Sequence, residues 1–154
     1  VINAVTQNTK QNELDKSFNS PQKTANTSNR NCVLLVEDNL INQQVAQHML
    51  EELHVDVITA NNGQEAIQQL LDNHRFSCVF MDCQMPIMDG YTATKKIRLG
   101  EAGEHNKDIQ IIAVTANAMG GDQKLCFDAG MNNYITKPMT IDMLRVALED
   151  IQKT

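Results

Sequence analysis

The sequence lacks several features that would place it in other classes of protein. No apolar run approaches the roughly 18 residues of a membrane-spanning helix, and no signal peptide opens the chain. We therefore expect a cytoplasmic protein without direct membrane contact. The four cysteines include no CxxC pair and no histidine-rich companion spacing, which argues against a zinc site. They are expected to be reduced thiols, buried or half-buried.

An excess of basic residues is also missing. The net charge is −6, and residues 1–31 carry four basic and two acidic side chains, a charge of +2 that leaves −8 for the remainder. An acidic body argues against binding of nucleic acid through its phosphates. It suits the binding of cations and of partners with basic surfaces.

The first 31 residues differ in composition from the rest of the chain. They are rich in Asn, Gln, Ser and Thr, and their scattered apolar residues have no period. Such a segment buries too little surface to offset its chain entropy. We predict a flexible polar linker over residues 1–31, spanning roughly 30 Å at coil dimensions, and a folded domain over residues 32–154.

The folded part alternates strand and helix patterns five times. Apolar runs at 32–36 and 78–81 are typical of strands covered on both faces. Further strands are predicted over 55–59, 109–114 and 133–135, and helices over 40–53, from 62 onward, over 91–99, over 119–129 and from 140 onward. Strict alternation predicts an α/β fold with a parallel sheet and right-handed crossovers. No helix-turn-helix unit is recognisable.

Polar residues collect where the predicted strands end. Glu37 and Asp38 follow the first strand, Asp82 the third, Thr115 the fourth and Lys137 the fifth. In doubly wound sheets the ligand crevice lies at the carboxyl ends of the strands, where strand order reverses. We expect these five residues to share that edge.

Three carboxylates at one edge repel each other strongly. At about 4 Å and an effective dielectric constant near 20, each pair costs about 4 kcal/mol, so a pKa must rise or a cation must bind. Hard oxygen ligands favour Mg²⁺, with a phosphate oxygen completing its shell. A carboxylate can also be a nucleophile that forms an acyl phosphate. Lys137 and Thr115 offer a charge and a hydroxyl to phosphoryl oxygens.

Each of these residues also has an ordinary structural explanation. Glu37 and Asp38 could merely cap the first helix, and Lys137 could stand in a plain loop after an edge strand. Tyr134 by itself is more often a core residue than a switch. The combination at successive strand ends is what favours a phosphoryl site.

Four fragments, at residues 33–39, 81–90, 112–119 and 130–138, resemble the receiver domains of response regulators and hybrid sensor histidine kinases. The resemblance covers residues 31–153. It implies a flavodoxin-like fold, a doubly wound five-stranded parallel sheet in the order 2-1-3-4-5 with five flanking helices. One departure is His54, where related receivers often carry glycine before the second strand, and we expect it to alter only a turn.

The resemblance implies a phosphoacceptor and a metal site. Asp82 would be the phosphorylated aspartate. Glu37, Asp38 and Asp82, with the main-chain carbonyl of Gln84, would hold Mg²⁺.

The resemblance also implies a switch. Thr115 would swing to the phosphoryl group, Lys137 would pair with that group, and the rotamer of Tyr134 would report the position of Thr115. The face formed by the fourth helix, fifth strand and fifth helix would then repack. The Lys137–Pro138 peptide bond is expected to be cis.

Residues 39–42, 82–86 and 130–131 resemble receivers carried by hybrid kinases more than free-standing regulators. We therefore expect a phosphorelay receiver that takes its phosphoryl group from a kinase phosphohistidine domain and passes it to a histidine phosphotransfer domain. It would assist its own phosphorylation and dephosphorylation without being a kinase. It would be monomeric by itself, and its parent would be a hybrid kinase anchored in an inner membrane. The alternative is a free-standing single-domain response regulator that acts by phosphorylation-dependent protein binding.

Two other classes fit less well. A haloacid-dehalogenase-like phosphatase needs a second acid two residues after its aspartyl nucleophile, where this chain has Gln84, and a cap domain is missing. A binding module that is never phosphorylated would not need Asp38, Asp82, Thr115 and Lys137 together.

Overall fold

The computed structural model describes residues 31–152, except 74, 75 and 118. The predicted linker over residues 1–31 lies outside this part, apart from Asn31. The strands are β1 (Cys32–Val36), β2 (Asp56–Ala60), β3 (Phe76–Asp82), β4 (Gln110–Thr115) and β5 (Asn133–Thr136). The helices are α1 (Leu40–Glu52), α2 (Gly63–Asp72), α3 (Gly90–Arg98), α4 (Gly121–Ala129) and α5 (Ile141–Gln152), and a 3-10 turn covers Glu104–Asn106.

The five strands form one parallel sheet in the order β2-β1-β3-β4-β5. The predicted fold class and strand order are therefore confirmed. Strand order reverses between β1 and β3, which is where doubly wound sheets place their ligand crevice. Val36 pairs with Met81, and Asp82 pairs with Val114, so the carboxyl ends of β1, β3 and β4 lie nearly level.

Each face of the sheet carries its own apolar core. Leu34 and Val36 of β1 join a cluster with residues of α2, α3 and α4, whereas Val33 and Leu35 join a cluster with residues of α1 and α5. Because both faces are covered, the central strands must be apolar at every position, which explains their unbroken hydrophobic runs. A buried leucine contributes about 1.5–3 kcal/mol through the hydrophobic effect.

Side-chain caps fix the starts of α1, α2 and α3. Asn39 Oδ1 accepts hydrogen bonds from the backbone N–H groups of Ile41 and Asn42, each at 3.0 Å, and so caps α1. Asn62 caps α2 and Asp89 caps α3 in the same way. The cap of α1 is therefore Asn39, and the alternative assignment of that role to Glu37 and Asp38 is wrong.

The predicted boundaries differ from the structure in small ways. The strands β2 and β4 lie one residue later than predicted, and α4 begins at Gly121 instead of residue 119. Gly130 ends α4 with φ of 108°, the left-handed backbone conformation that glycine commonly adopts at the C-terminus of an α-helix. His54 has φ of 65°, so it occupies a backbone conformation that glycine adopts without strain. No helix in the described residues is both long and apolar enough to cross a membrane.

Candidate functional site

Two buried acids stand at the centre of the carboxyl edge. Asp82 is the last residue of β3 and is 3% exposed, and Glu37 directly follows β1 and is 1% exposed. The backbone N–H of Glu37 donates to Ala60 O at 3.0 Å, which holds this residue in line with β2. Carboxylates this deeply buried need a cation or a proton.

Lys137 provides a positive charge for both acids. Its Nζ lies 3.0 Å from Asp82 Oδ2 and 3.2 Å from Glu37 Oε2. The backbone N–H of Lys137 donates to Thr115 O at 2.8 Å, which anchors the residue beside the end of β4. The Lys137–Pro138 peptide bond is cis.

The pKa values of this trio reflect competition between burial and pairing. Burial raises the pKa of the Glu37 carboxyl above its ordinary value, the neighbouring Asp82 raises it further, and the Asn39 N–H and Lys137 oppose the increase. Burial would lower the pKa of Lys137, but its hydrogen bond to Asp82 and the charges of Asp82 and Glu37 raise it overall. Glu37 Oε2 is buried and has no partner in hydrogen-bond geometry, although it lies within ion-pair distance of Lys137. One lysine therefore does not fully compensate two buried carboxylates.

Three carboxylates converge closely enough to hold a metal ion. One oxygen each from Glu37, Asp38 and Asp82 lies within 4.8 Å of the others, and Asp38 is exposed while the other two are buried. The backbone N–H of Gln84 donates to Asp82 Oδ1 at 3.2 Å, which places Gln84 at the same edge. An all-oxygen set with a buried, under-partnered carboxylate oxygen fits a hard cation such as Mg²⁺.

Among the described residues, Thr115 and Tyr134 form their side-chain hydrogen bonds with α4 and the loop before it, and not with Glu37, Asp38 or Asp82. Thr115 Oγ1 donates toward Asn117 O at 3.1 Å and Asp122 Oδ2 at 3.3 Å. The hydroxyl of Tyr134 accepts a hydrogen bond from Gln123 Nε2 at 2.6 Å. None of the hydrogen bonds among the described residues joins Thr115 to Asp82, so the structure does not bring the predicted switch hydroxyl onto the predicted acceptor.

A comparison with known families shows to which family the chain belongs. A sequence model of the response regulator receiver domain family matches residues 33–149. The chain belongs to this family. Receiver domains are modules of two-component signal transduction, and the predicted family is therefore confirmed.

Relatives of this receiver include parts of hybrid kinases. It is 42% identical over 123 residues to hybrid signal transduction histidine kinase K of Dictyostelium discoideum, covering 76% of this chain and 10% of that protein. The receiver thus spans about a tenth of the length of that relative.

Two solved structures add detail. The receiver domain of sensor histidine kinase PA1611 from Pseudomonas aeruginosa PAO1, with a magnesium ion coordinated in its active-site cleft, aligns with a TM-score of 0.73 and 38% identity, over 81% of this chain and 99% of that one. A chain of the co-crystal of the Saccharomyces cerevisiae histidine phosphotransfer protein Ypd1 with the receiver domain of its downstream response regulator Ssk1 aligns with a TM-score of 0.68 and 32% identity, over 75% of this chain and 84% of that one.

Sequence reasoning missed a buried amide that supports the receiver's acidic edge. Gln43 is 7% exposed, and its Nε2 donates to Glu37 O at 2.9 Å and to Asn61 Oδ1 at 3.1 Å. This contact ties α1 to the ends of β1 and β2. Its signal was present in the sequence, because residue 43 falls on the same helical face as the buried Ala46 and Leu50.

The packing around the backbone of Asp82 leaves no room for a larger residue at Gly90. A Cβ on Gly90 would overlap the main-chain carbonyl oxygen of Asp82, and the N–H of Gly90 donates to Cys83 O at 3.1 Å. Cys83 Sγ in turn lies 3.8 Å from Cys126 Sγ of α4, and burial raises the pKa of the Cys83 thiol to about 12. The start of α3 thus packs against Asp82, and the middle of α4 packs against the next residue, Cys83.

Proposed function

We propose that this receiver accepts a phosphoryl group on Asp82 from the phosphohistidine of a kinase, with Mg²⁺ as cofactor. The observation that carries the proposal is the placement of Asp82, a buried carboxylate whose Oδ2 meets Lys137 and whose Oδ1 meets the Gln84 N–H. Asn39 supplies the capping side chain of α1, so its two neighbours in the acidic cluster, Glu37 and Asp38, are not needed for that role.

The chemistry is nucleophilic displacement at phosphorus. An Asp82 carboxylate oxygen attacks the phosphorus atom, the bond from phosphorus to the histidine nitrogen breaks, and that nitrogen keeps the electron pair. Lys137, whose Nζ lies 3.0 Å from Asp82 Oδ2, pairs its charge with the new phosphoryl oxygens. Mg²⁺, when bound by Glu37, Asp38, Asp82 and the Gln84 carbonyl, supplies further positive charge to these oxygens.

The next step in the proposal is transfer of the phosphoryl group to a histidine phosphotransfer domain. The likeness to the receiver of Ssk1, which was crystallised with Ypd1, supports this partner. The surface of this chain supports it as well, because Leu40, Ile41 and Val45 of α1 are 64%, 71% and 54% exposed. Val45 also lines a cleft of about 330 Å³ whose other lining residues include Lys137 and Met139. A helix of the partner would pack on this apolar edge and bring its histidine over Asp82.

The wider setting of the receiver is also part of the proposal. It works in the cytoplasm as a monomeric module of a hybrid kinase, whose other domains supply the phosphohistidine. Phosphorylation repacks the face formed by α4, β5 and α5, and this face reports the phosphorylated state to other parts of the pathway.

The acceptor is tested by incubation with acetyl phosphate and Mg²⁺ followed by separation on a phosphate-trapping gel. The native chain should be retarded, Asp82→Asn should not, and Asp128→Asn, which removes an exposed acid of α4, should behave like the native chain. Removal of Mg²⁺ with EDTA should abolish the retarded band. A native chain that is never retarded, or an Asp82→Asn variant that is, would refute the proposed acceptor.

The docking edge is tested separately by transfer to a purified histidine phosphotransfer domain. Ile41→Glu should slow the transfer tenfold or more and leave labelling by acetyl phosphate unchanged, because a buried charge at an interface is costly. Leu71→Glu, an equally large change at an exposed leucine of α2 on the other face of the sheet, is the matched control. Equal rates for both variants would place the partner elsewhere.

A further inference from the structure

The hydrogen bonds of Thr115 identify an acid outside the metal cluster that affects the switch. The Thr115 hydroxyl has one proton, and its Oγ1 lies in donor geometry to Asn117 O at 3.1 Å and Asp122 Oδ2 at 3.3 Å. The same Oγ1 accepts from the Asn117 N–H at 3.2 Å. The hydroxyl is therefore fully engaged with the β4–α4 loop and the first turn of α4.

Asp122 lies at a position where a carboxylate ordinarily stabilises the N-terminus of its own helix. It lies in the first turn of α4, which has no side-chain cap, and an acid there usually interacts with the free N–H groups of the helix terminus. Instead its Oδ2 accepts from the threonine at the end of β4. The acid thus links the sheet to α4 at the point where the chain passes between them.

Two further contacts of α4 hold Tyr134. Gln123, the neighbour of Asp122, donates from Nε2 to the Tyr134 hydroxyl at 2.6 Å. Phe127, one turn further along, meets the Tyr134 ring edge to face with ring centroids 6.3 Å apart. One helix thus contacts both residues of the expected switch.

The start of α4 is loosely packed. A Cβ on Gly120 or on Gly121 would meet no atom within 4 Å among the described residues. Movement of this helix start is therefore not blocked by packing of these two positions, and the side-chain bonds of Asp122 and Gln123 carry more of its placement.

We propose that Asp122 is a positioning residue that keeps the Thr115 hydroxyl engaged with α4 in the unphosphorylated receiver, so that its release accompanies phosphorylation. The inference rests on the proposed phosphorylation of Asp82. A phosphoryl group on Asp82 offers oxygens that compete with the Asp122 carboxylate for the same hydroxyl proton. Because the Asp122 acceptor is charged, it competes for this proton more strongly than the neutral Asn117 carbonyl does, so Asp122 affects how readily Thr115 is released.

The expected size follows from the population of the competent state. A ligand that binds only the switched form has its apparent affinity reduced by the small fraction of molecules in that form. Removal of the Asp122 charge should raise this fraction and tighten apparent binding about tenfold, which corresponds to about 1.4 kcal/mol.

The test is a titration of the full chain with beryllofluoride and Mg²⁺, followed by NMR. The half-saturating concentration should fall about tenfold in Asp122→Ala and by an intermediate factor in Asp122→Asn, whose amide oxygen is a weaker, neutral acceptor. Asp128→Asn removes a charge from the same helix, where that acid pairs only with the exposed Lys124 in the described contacts, and it should titrate like the native chain. In Asp122→Ala without ligand, the Thr115 methyl signal should already lie part of the way toward its bound position.

A second pair of variants tests whether the effect passes through the hydroxyl. In a Thr115→Val background, which keeps the shape of the side chain and removes the donor, Asp122→Ala should no longer change the half-saturating concentration. A tenfold effect that persists there would overturn the assignment, as would Asp122 variants that titrate within twofold of the native chain. Failure of the proposed function looks different, because then the native chain itself shows no shift, or Asp82→Asn responds as the native chain does.

Discussion

Replacement of Lys137 by methionine should destabilise the receiver by an amount that depends strongly on pH. The Lys137 ammonium lies 3.0 Å from Asp82 Oδ2 and 3.2 Å from Glu37 Oε2, and both acids are almost fully buried. Methionine keeps much of the side-chain length and has no charge. The two carboxylates would then face each other without a cation between them.

Two limits give the magnitude. Carboxylate oxygens within 4.8 Å of each other repel by about 3–4 kcal/mol at an effective dielectric constant near 20. The variant can avoid this repulsion if Glu37 takes up a proton. The free-energy cost of protonation is about 1.36 kcal/mol for each unit by which the pH exceeds the ordinary glutamate pKa of 4.5. The free energy of unfolding should therefore fall by about 3 kcal/mol at pH 7 and by about 1 kcal/mol at pH 5.

The sign of the pH dependence follows from the direction of the pKa shift. A carboxyl whose pKa is raised in the folded state contributes its full stability below its unfolded pKa, here near 4.5. This contribution is lost as the pH rises through the raised pKa. The deficit of the variant relative to the native chain should grow steadily from pH 5 to pH 7.

Urea unfolding, followed by circular dichroism at several pH values without divalent cations, measures this deficit. Lys124→Met changes the net charge equally at an exposed ion pair with Asp128 and should leave stability unchanged at every pH. Mg²⁺ should restore stability to Lys137→Met, by about 2.7 kcal/mol at a hundred times its dissociation constant. A deficit of the same size at pH 5 and pH 7 would refute the electrostatic reasoning and assign the loss to packing of the lysine stem.

Two more predictions concern the support of the acidic edge. Gly90→Ala should lower the free energy of unfolding by about 1–3 kcal/mol or more, since its Cβ would collide with the Asp82 carbonyl oxygen. The control Gly121→Ala places its Cβ in open space and should not destabilise the domain. Equal melting temperatures for the two variants would contradict this prediction. Gln43→Leu should cost about 1–3 kcal/mol because it leaves the buried Glu37 carbonyl without its amide donor. The exposed Gln44→Leu is its control, and urea midpoints that coincide would show that the amide is dispensable.

Much of the fold could be predicted because a doubly wound sheet leaves a strong pattern in sequence. Strands covered on both faces must be apolar throughout, and the first polar residue after each run marks the edge where ligands bind. This is why Asp38 and Asp82 could be named as neighbours although they lie 44 positions apart in the sequence. Caps such as Asn62 could be recognised as well, since a side-chain oxygen at a helix start has a local purpose.

The hydrogen-bond partners of some side chains and the start of α4 could not be predicted, because they depend on the path of the backbone and not on the local sequence pattern. The Thr115 hydroxyl can serve any acceptor within reach, and its pairing with Asp122 depends on the path of the β4–α4 loop. The start of α4 was placed two residues early because Gly120 and Gly121 carry no capping side chain to mark it. Glu65 stands three residues after Asn62, the spacing of a capping box, yet its Oε2 accepts from the Asn61 N–H at 2.7 Å, one residue earlier.

The thiols of Cys83 and Cys126 can report motion of α4 through their chemical reactivity. Only a thiolate reacts with alkylating reagents, and burial keeps Cys83 and Cys126 protonated and covered in the closed domain. These two sulfurs contact each other between the end of β3 and α4, so a reagent can reach them only while α4 is separated from β3. In a chain whose half-buried Cys32 has been replaced, the rates at which Cys83 and Cys126 are labelled, resolved from that of Cys78 in β3, would report how often this contact opens. Motion at this contact could then be followed by mass spectrometry with the chain's own cysteines as the labelled sites.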